Sequence, residues 1–139
     1  MQSEILKPHP TARLRVYAIW TNKLFGDARR RWDAAGLTDP RAVHLWDAKD
    51  VSGDWLVDHV SGHQGGDWDT YLLFGPDATW TSQPEPLRSS GSPVDGQIDA
   101  LSQAVTPLLA LGHAVTVIAC AARVAALSAV TAPSAAVIS

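Results

Sequence analysis

A chain of 139 residues, 46% hydrophobic and 18% charged, is long enough for one domain with its own core and too short for two. Its net charge of −3 offers no basic surplus to pair with phosphates, so nucleic acid is not expected as a partner. The single cysteine, Cys120, excludes an internal disulfide and any dithiol motif within the chain.

Charge is spread unevenly. All 14 acidic residues lie at or before Asp99, and after it the only charged side chain is Arg123. This break divides a body, residues 1–111, from an Ala-rich apolar tail, residues 112–139, with room for one extra strand and a helix. Pro107, Gly112, His113 and Arg123 interrupt the apolar stretch 104–131. A bilayer span needs roughly 20 mainly apolar residues with few charges, so no membrane partner is expected. Met1-Gln2-Ser3-Glu4-Ile5-Leu6 lacks the basic start and apolar run of a signal peptide, and the expected location is the cytoplasm.

In chain order, Lys7-Pro8-His9-Pro10 stops any helix that ends at Ile5 and Leu6. Arg13 to Thr21 becomes almost continuously apolar from Val16, the pattern of an interior strand in a parallel sheet. Gly26-Asp27 opens a predicted helix with Ala28, Trp32 and Ala35 at helical spacing and Gly36 as its C-cap. Arg41 to Trp46 is a second strand. Asp50 caps a short helix through Val51, Trp55, Leu56 and Val60, which Gly62 ends.

Thr70 to Phe74 is an aromatic and aliphatic run suited to a buried strand, with Tyr71 and Leu73 facing opposite to Leu72 and Phe74. Gly75-Pro76-Asp77 reads as a turn, and Ala78 to Thr81 as the returning strand of a hairpin. Ser82 to Ser92 reads as a loop. Ser92-Pro93-Val94-Asp95 then reads as a helix start, and Val94, Ile98, Leu101, Val105 and Leu108 as its buried stripe. Pro107 is expected to kink or end that helix. Ala114 to Ala119 is β-rich, and Ala121 to Val130 has helical composition. Strand, helix, strand, helix, hairpin, helix implies a mixed sheet in an α/β sandwich.

Three segments carry a resemblance: Arg15-Val16-Tyr17-Ala18-Ile19-Trp20, Val43-His44-Leu45-Trp46-Asp47, and Trp68-Asp69-Thr70-Tyr71-Leu72-Leu73-Phe74-Gly75-Pro76-Asp77. From about Arg13 to Leu109 the chain resembles the C-terminal three-quarters of a thioredoxin-fold domain of the redoxin-like bacterial kind. The implied fold is α/β: a thioredoxin-like mixed sheet flanked by helices, incomplete at the N-terminus, with an Ala-rich C-terminal tail. In such domains a strand carrying cis-Pro-Thr lies beside the redox cysteines. Thr70 matches that threonine, Asp69 stands where the proline would be, and Trp68 precedes them, so these three are the candidate site positions. The family's first strand and its Cys-x-x-Cys helix would precede Met1, with Met1 to Leu6 resembling only the last turn of that helix. The resemblance also puts the missing strand between Val16–Trp20 and Thr70–Phe74. Ala114–Ala119 is the one further β-rich run available to fill that gap, bringing Cys120 toward the family's active-site end.

Dithiol exchange needs one activated thiol and a second to resolve the mixed disulfide, and this chain has only Cys120. The ordinary role for Cys120 is that of a small buried hydrophobe. His59 and His63 are four apart and would share a helix face, with His44, Asp58, Asp67 and Asp69 available to complete a metal site. Gly62 lies between the two histidines, so tight zinc binding is not expected. Asp47, Asp67 and Asp69 near strand ends fit acid–base chemistry only if one is desolvated, and turn capping is their commoner use. Trp20, Trp46, Trp68 and Trp80 lie in or beside strands and read as core filler.

The sequence therefore reads as a noncatalytic or truncated thioredoxin-like domain with no cofactor and no metal. The rival readings are an interaction module pairing a sheet edge or a Trp-rich face with a protein partner or a second copy, and a metal- or carboxylate-dependent enzyme.

Overall fold

The computed structural model describes residues 1–23, 28–31, 36–62 and 69–121. Five strands form one mixed sheet: β1 (Leu14–Thr21), β2 (Ala42–Asp47), β3 (Thr70–Trp80), β4 (Pro84–Gly91) and β5 (Val115–Ala121), in the order β2-β1-β5-β3-β4. β1 runs parallel to both β2 and β5, while β3 is antiparallel to β5 and to β4. The strand expected from Ala114–Ala119 thus occupies the middle of the sheet, between β1 and β3. Its sequence explains the placement, since all but Thr116 of β5 is buried and a strand covered on both faces must be apolar throughout.

Two helices flank the sheet, α1 (Val51–Leu56) on one face and α2 (Ile98–Ala110) on the other. Residues alternate between the faces as the strand period requires. Leu14, Val16, Ala18 and Trp20 of β1, Val117 and Ala119 of β5, and Tyr71 and Leu73 of β3 lie in one core cluster. Leu101, Val105 and Leu109 of α2 cover it, together with Ile5 and Leu6 of the helical turn Gln2–Leu6. Ile118, Cys120, Leu72 and Phe74 point the other way and meet Leu56 of α1.

The N-terminal turn is fastened by Arg41. Its guanidinium donates to both carboxylate oxygens of Asp39 and to the carbonyls of Leu6, His9 and Ala12. A planar fork that reaches several acceptors at once is what arginine supplies and lysine does not.

In the strands and in α2 the structure departs from the sequence reading at four places. Gly75-Pro76-Asp77 is not the hairpin turn: β3 runs on to Trp80, with register irregularities between Leu73 and Thr79. Asp77 forms an ion pair with Arg88 of β4 across this irregular stretch. A Cβ on Gly75 would lie 3.0 Å from Asp77 Oδ1 and 3.3 Å from Arg88 Nε, so a side chain there would crowd the pair. The expected loop Ser82–Ser92 is largely β4, whose prolines Pro84 and Pro86 are tolerated because the strand lies at an edge. α2 starts at Ile98, after a 3₁₀ turn at Asp95–Gln97, because the Ser92 hydroxyl donates to the Asp69 carbonyl instead of capping a helix. Finally, α2 continues through Pro107 to Ala110. Gln103, whose carbonyl would have received the missing N–H, is exposed and open to water.

The helix expected from Gly26-Asp27 is described only at the 3₁₀ turn Arg29–Arg31, and the expected helix Ala121–Val130 lies outside the described residues beyond Ala121. No helix among the described residues is long and apolar enough to cross a membrane.

Candidate functional site

Ligands of open α/β sheets gather where the parallel strands end at their carboxyl termini. Here those ends belong to β1, β2 and β5, and the register puts Leu45, Ile19, Cys120 and Thr70 in one row across four adjacent strands. Two residues further along, Thr21 of β1 pairs with Asp47 of β2. Cys120 packs on the α1 side with Leu72, Phe74, Ile118 and Leu56, and is buried.

Three of the four buried side-chain polar atoms without a hydrogen-bond partner among the described residues lie near this end: Thr21 Oγ1, Thr70 Oγ1 and Asp50 Oδ1. Thr21 and Thr70 are at 0% and 1% exposure, so neither hydroxyl is hydrated from the surface. Asp50 precedes α1 with φ of 55°, and its other oxygen forms an ion pair with Lys23. That carboxylate raises the pKa of Lys23.

Asp50 holds the N-cap position of α1 without a side-chain cap bond, and Asp47, at the end of β2, supplies that bond instead. Asp47 Oδ2 accepts the Ser52 N–H at 2.7 Å and the Ser52 hydroxyl at 2.5 Å, while Oδ1 accepts the Lys49 N–H at 3.2 Å. Burial pushes the Asp47 carboxyl up, but the donors of Ser52, Val51 and Lys49 outweigh it and hold its pKa below the ordinary value. Asp69 behaves in the opposite sense. Its Oδ1 accepts the Val94 N–H at 3.3 Å, but burial outweighs that donor and, with the nearby Asp95 charge, raises its pKa. Asp69 therefore ties the start of β3 to the approach of α2.

The remaining candidates are dispersed. His59 is exposed, stacks on Trp55 with centroids 4.7 Å apart, and its Nδ1 bonds the Trp55 carbonyl at 2.9 Å. His44 lies on the opposite face of the sheet, bonded through Nδ1 to the Trp20 indole and through Nε2 to the Leu37 carbonyl. His63, Asp67 and Trp68 lie outside the described residues. Among the described residues no three His, Cys, Asp or Glu side chains are placed to hold a metal. Of the tryptophans read as core, Trp20 is buried, Trp46 half-buried, and Trp80 52% exposed at the end of β3.

The sequence reading did not foresee the cleft beside α1. About 510 Å³ lies between α1 and the sheet, over Ile19, Leu45 and Ile118 and against Val51, Trp55 and Leu56. A second hollow of about 260 Å³ shares Trp55, Leu56 and Ile118 and extends toward Trp80 and Pro84. The signal in the sequence was Leu45, an apolar residue on a strand at the sheet edge, and Val51 and Trp55 four apart on a short helix.

No family model matches the chain, and neither does any curated protein or solved structure.

Proposed function

We propose that this chain is a thioredoxin-like domain that does not carry out dithiol–disulfide exchange and acts by binding. The order of β1, β5, β3 and β4 supports the architectural part of this reading. Two parallel strands are followed by an antiparallel pair, with β5 standing where the resembling family has its first strand. The observation that carries the functional part is Cys120: it is the only thiol in the chain, and it is packed at 1% exposure among Leu56, Leu72, Phe74 and Ile118. A thiol shielded in this way does not meet a disulfide substrate, and the chain holds no second thiol to resolve a mixed disulfide.

The test is reduction of insulin by dithiothreitol in the presence of the protein. No acceleration over dithiothreitol alone is expected, and Cys120 should react with a thiol reagent only after denaturation. Acceleration that follows the folded protein, or fast titration of Cys120 in the native state, would overturn the reading.

A further inference from the structure

The surface beside α1 is apolar where a soluble face would ordinarily be polar. Leu45, Val51 and Trp55 are 47%, 61% and 37% exposed, and all three border the same cleft. We propose that this cleft is a binding site for one small, uncharged, ring-containing apolar molecule. The inference rests on the cleft alone and is independent of whether the chain lacks thiol chemistry.

Size comes first. The volume of about 510 Å³ falls inside the roughly 300–1,000 Å³ typical of small-molecule sites. The apolar surface that the three side chains leave exposed is on the order of 300 Å², below the roughly 450 Å² of apolar area that each partner of a stable protein interface contributes. A second copy of the chain docked here would bury too little; a small ligand is matched to the area.

Chemistry narrows the class. Among the described residues the lining contains one ionisable side chain, Asp47, and no cation. Both Asp47 oxygens already serve the turn into α1, accepting from Ser52 and Lys49. Nothing in the lining is left to pair with a carboxylate, sulfonate or phosphate, and the Asp47 charge repels one. Burying an unpaired anion against Ile19, Leu45 and Ile118 carries a large desolvation cost. What remains is dispersion and apolar burial against aliphatic side chains and the Trp55 indole. His59 stacks on that indole with planes 10° apart, so the aromatic wall is held in place before a ligand arrives.

The experiment uses the full chain and two fluorescent probes that share one skeleton. N-phenyl-1-naphthylamine is neutral, and 1-anilinonaphthalene-8-sulfonate adds an anionic group to it. Saturable binding of the neutral probe at one per chain is expected, with the sulfonate at least about tenfold weaker. Leu45→Glu and Val51→Asp alter exposed positions, so the fold should persist, as circular dichroism and thermal melting would verify. Each should weaken the neutral probe at least about tenfold. Equal binding of the two probes, or affinity unchanged in both variants, would overturn the proposal. A dimer in light scattering that Leu45→Glu dissociates would also overturn it, by making a second copy the occupant.

Discussion

Thr70 and Cys120 are cross-strand partners in the antiparallel ladder of β3 and β5, and both are 1% exposed. Cys120 is the only thiol in the chain, and the fold brings it beside a threonine 50 residues away in sequence. Among the described residues the Thr70 hydroxyl has no hydrogen-bond partner. A buried hydroxyl left unpaired is a net cost, and removing it without changing shape relieves that cost. Thr70→Val should therefore raise stability by about 1 kcal/mol, measured as a higher urea midpoint at unchanged slope. Destabilisation by a similar amount would show that the hydroxyl has a partner in solution.

On the opposite face, the Trp20 indole N–H donates to His44 Nδ1 at 3.0 Å, and the second ring nitrogen of His44 bonds the Leu37 carbonyl at 2.9 Å. The neutral histidine consequently carries its proton on Nε2. Trp20→Phe removes the donor and leaves a hole in the core cluster at a position that is 1% exposed. A loss of roughly 2–4 kcal/mol is expected in chemical denaturation, from the cavity and the broken bond together. A loss under about 0.5 kcal/mol would mean that this layer repacks freely.

Two aspartates should give opposite pH dependences. The pKa of Asp47 is held below its unfolded value, near 3.9, so its contribution is present above that pH and is lost as pH falls through the lower folded value. Ser52→Ala removes a donor and should reduce the extra stability near neutrality. Burial raises the Asp69 pKa, so its contribution is complete below about pH 3.9 and is lost as pH rises through the folded value. Asp69→Asn keeps an acceptor for the Val94 N–H and cannot ionise. Near pH 7 this variant should be the more stable protein, with the gap closing below about pH 4. Thermal melts of both variants between acid and neutral pH are the check, and parallel curves for Asp69→Asn and the parent would refute the assignment.

Ending the chain after Gly112 removes β5, which pairs with β1 on one side and β3 on the other. Both neighbours would then face a gap with unpaired backbone groups in the middle of the core. The truncated chain should lose cooperative unfolding in urea and its dispersed amide spectrum. A sharp transition with an unchanged midpoint would show that β5 is dispensable.

Much of this architecture is written locally. The alternation of Val16, Ala18 and Trp20 against Tyr17 and Ile19, the stripe Leu101-Val105, and Gly62 at φ of 65° closing the segment after α1 follow from periodicity and backbone sterics that act within a few residues. The apolar run near the C-terminus likewise identified β5 as a strand, and a strand apolar on both faces belongs inside a sheet. What only the tertiary structure decided are outcomes of competition between distant groups. Gly75-Pro76-Asp77 has turn chemistry, yet β3 continues past it, because pairing with β4 resumes at Thr79 and the Asp77–Arg88 ion pair spans the irregular stretch between. Asp50 has the right identity for a helix cap, yet Lys23 takes its carboxylate and Asp47 caps in its place. The cleft beside Trp55 is of the same kind: its walls come from four separate elements, and a hollow between them exists only once the sheet has set their spacing.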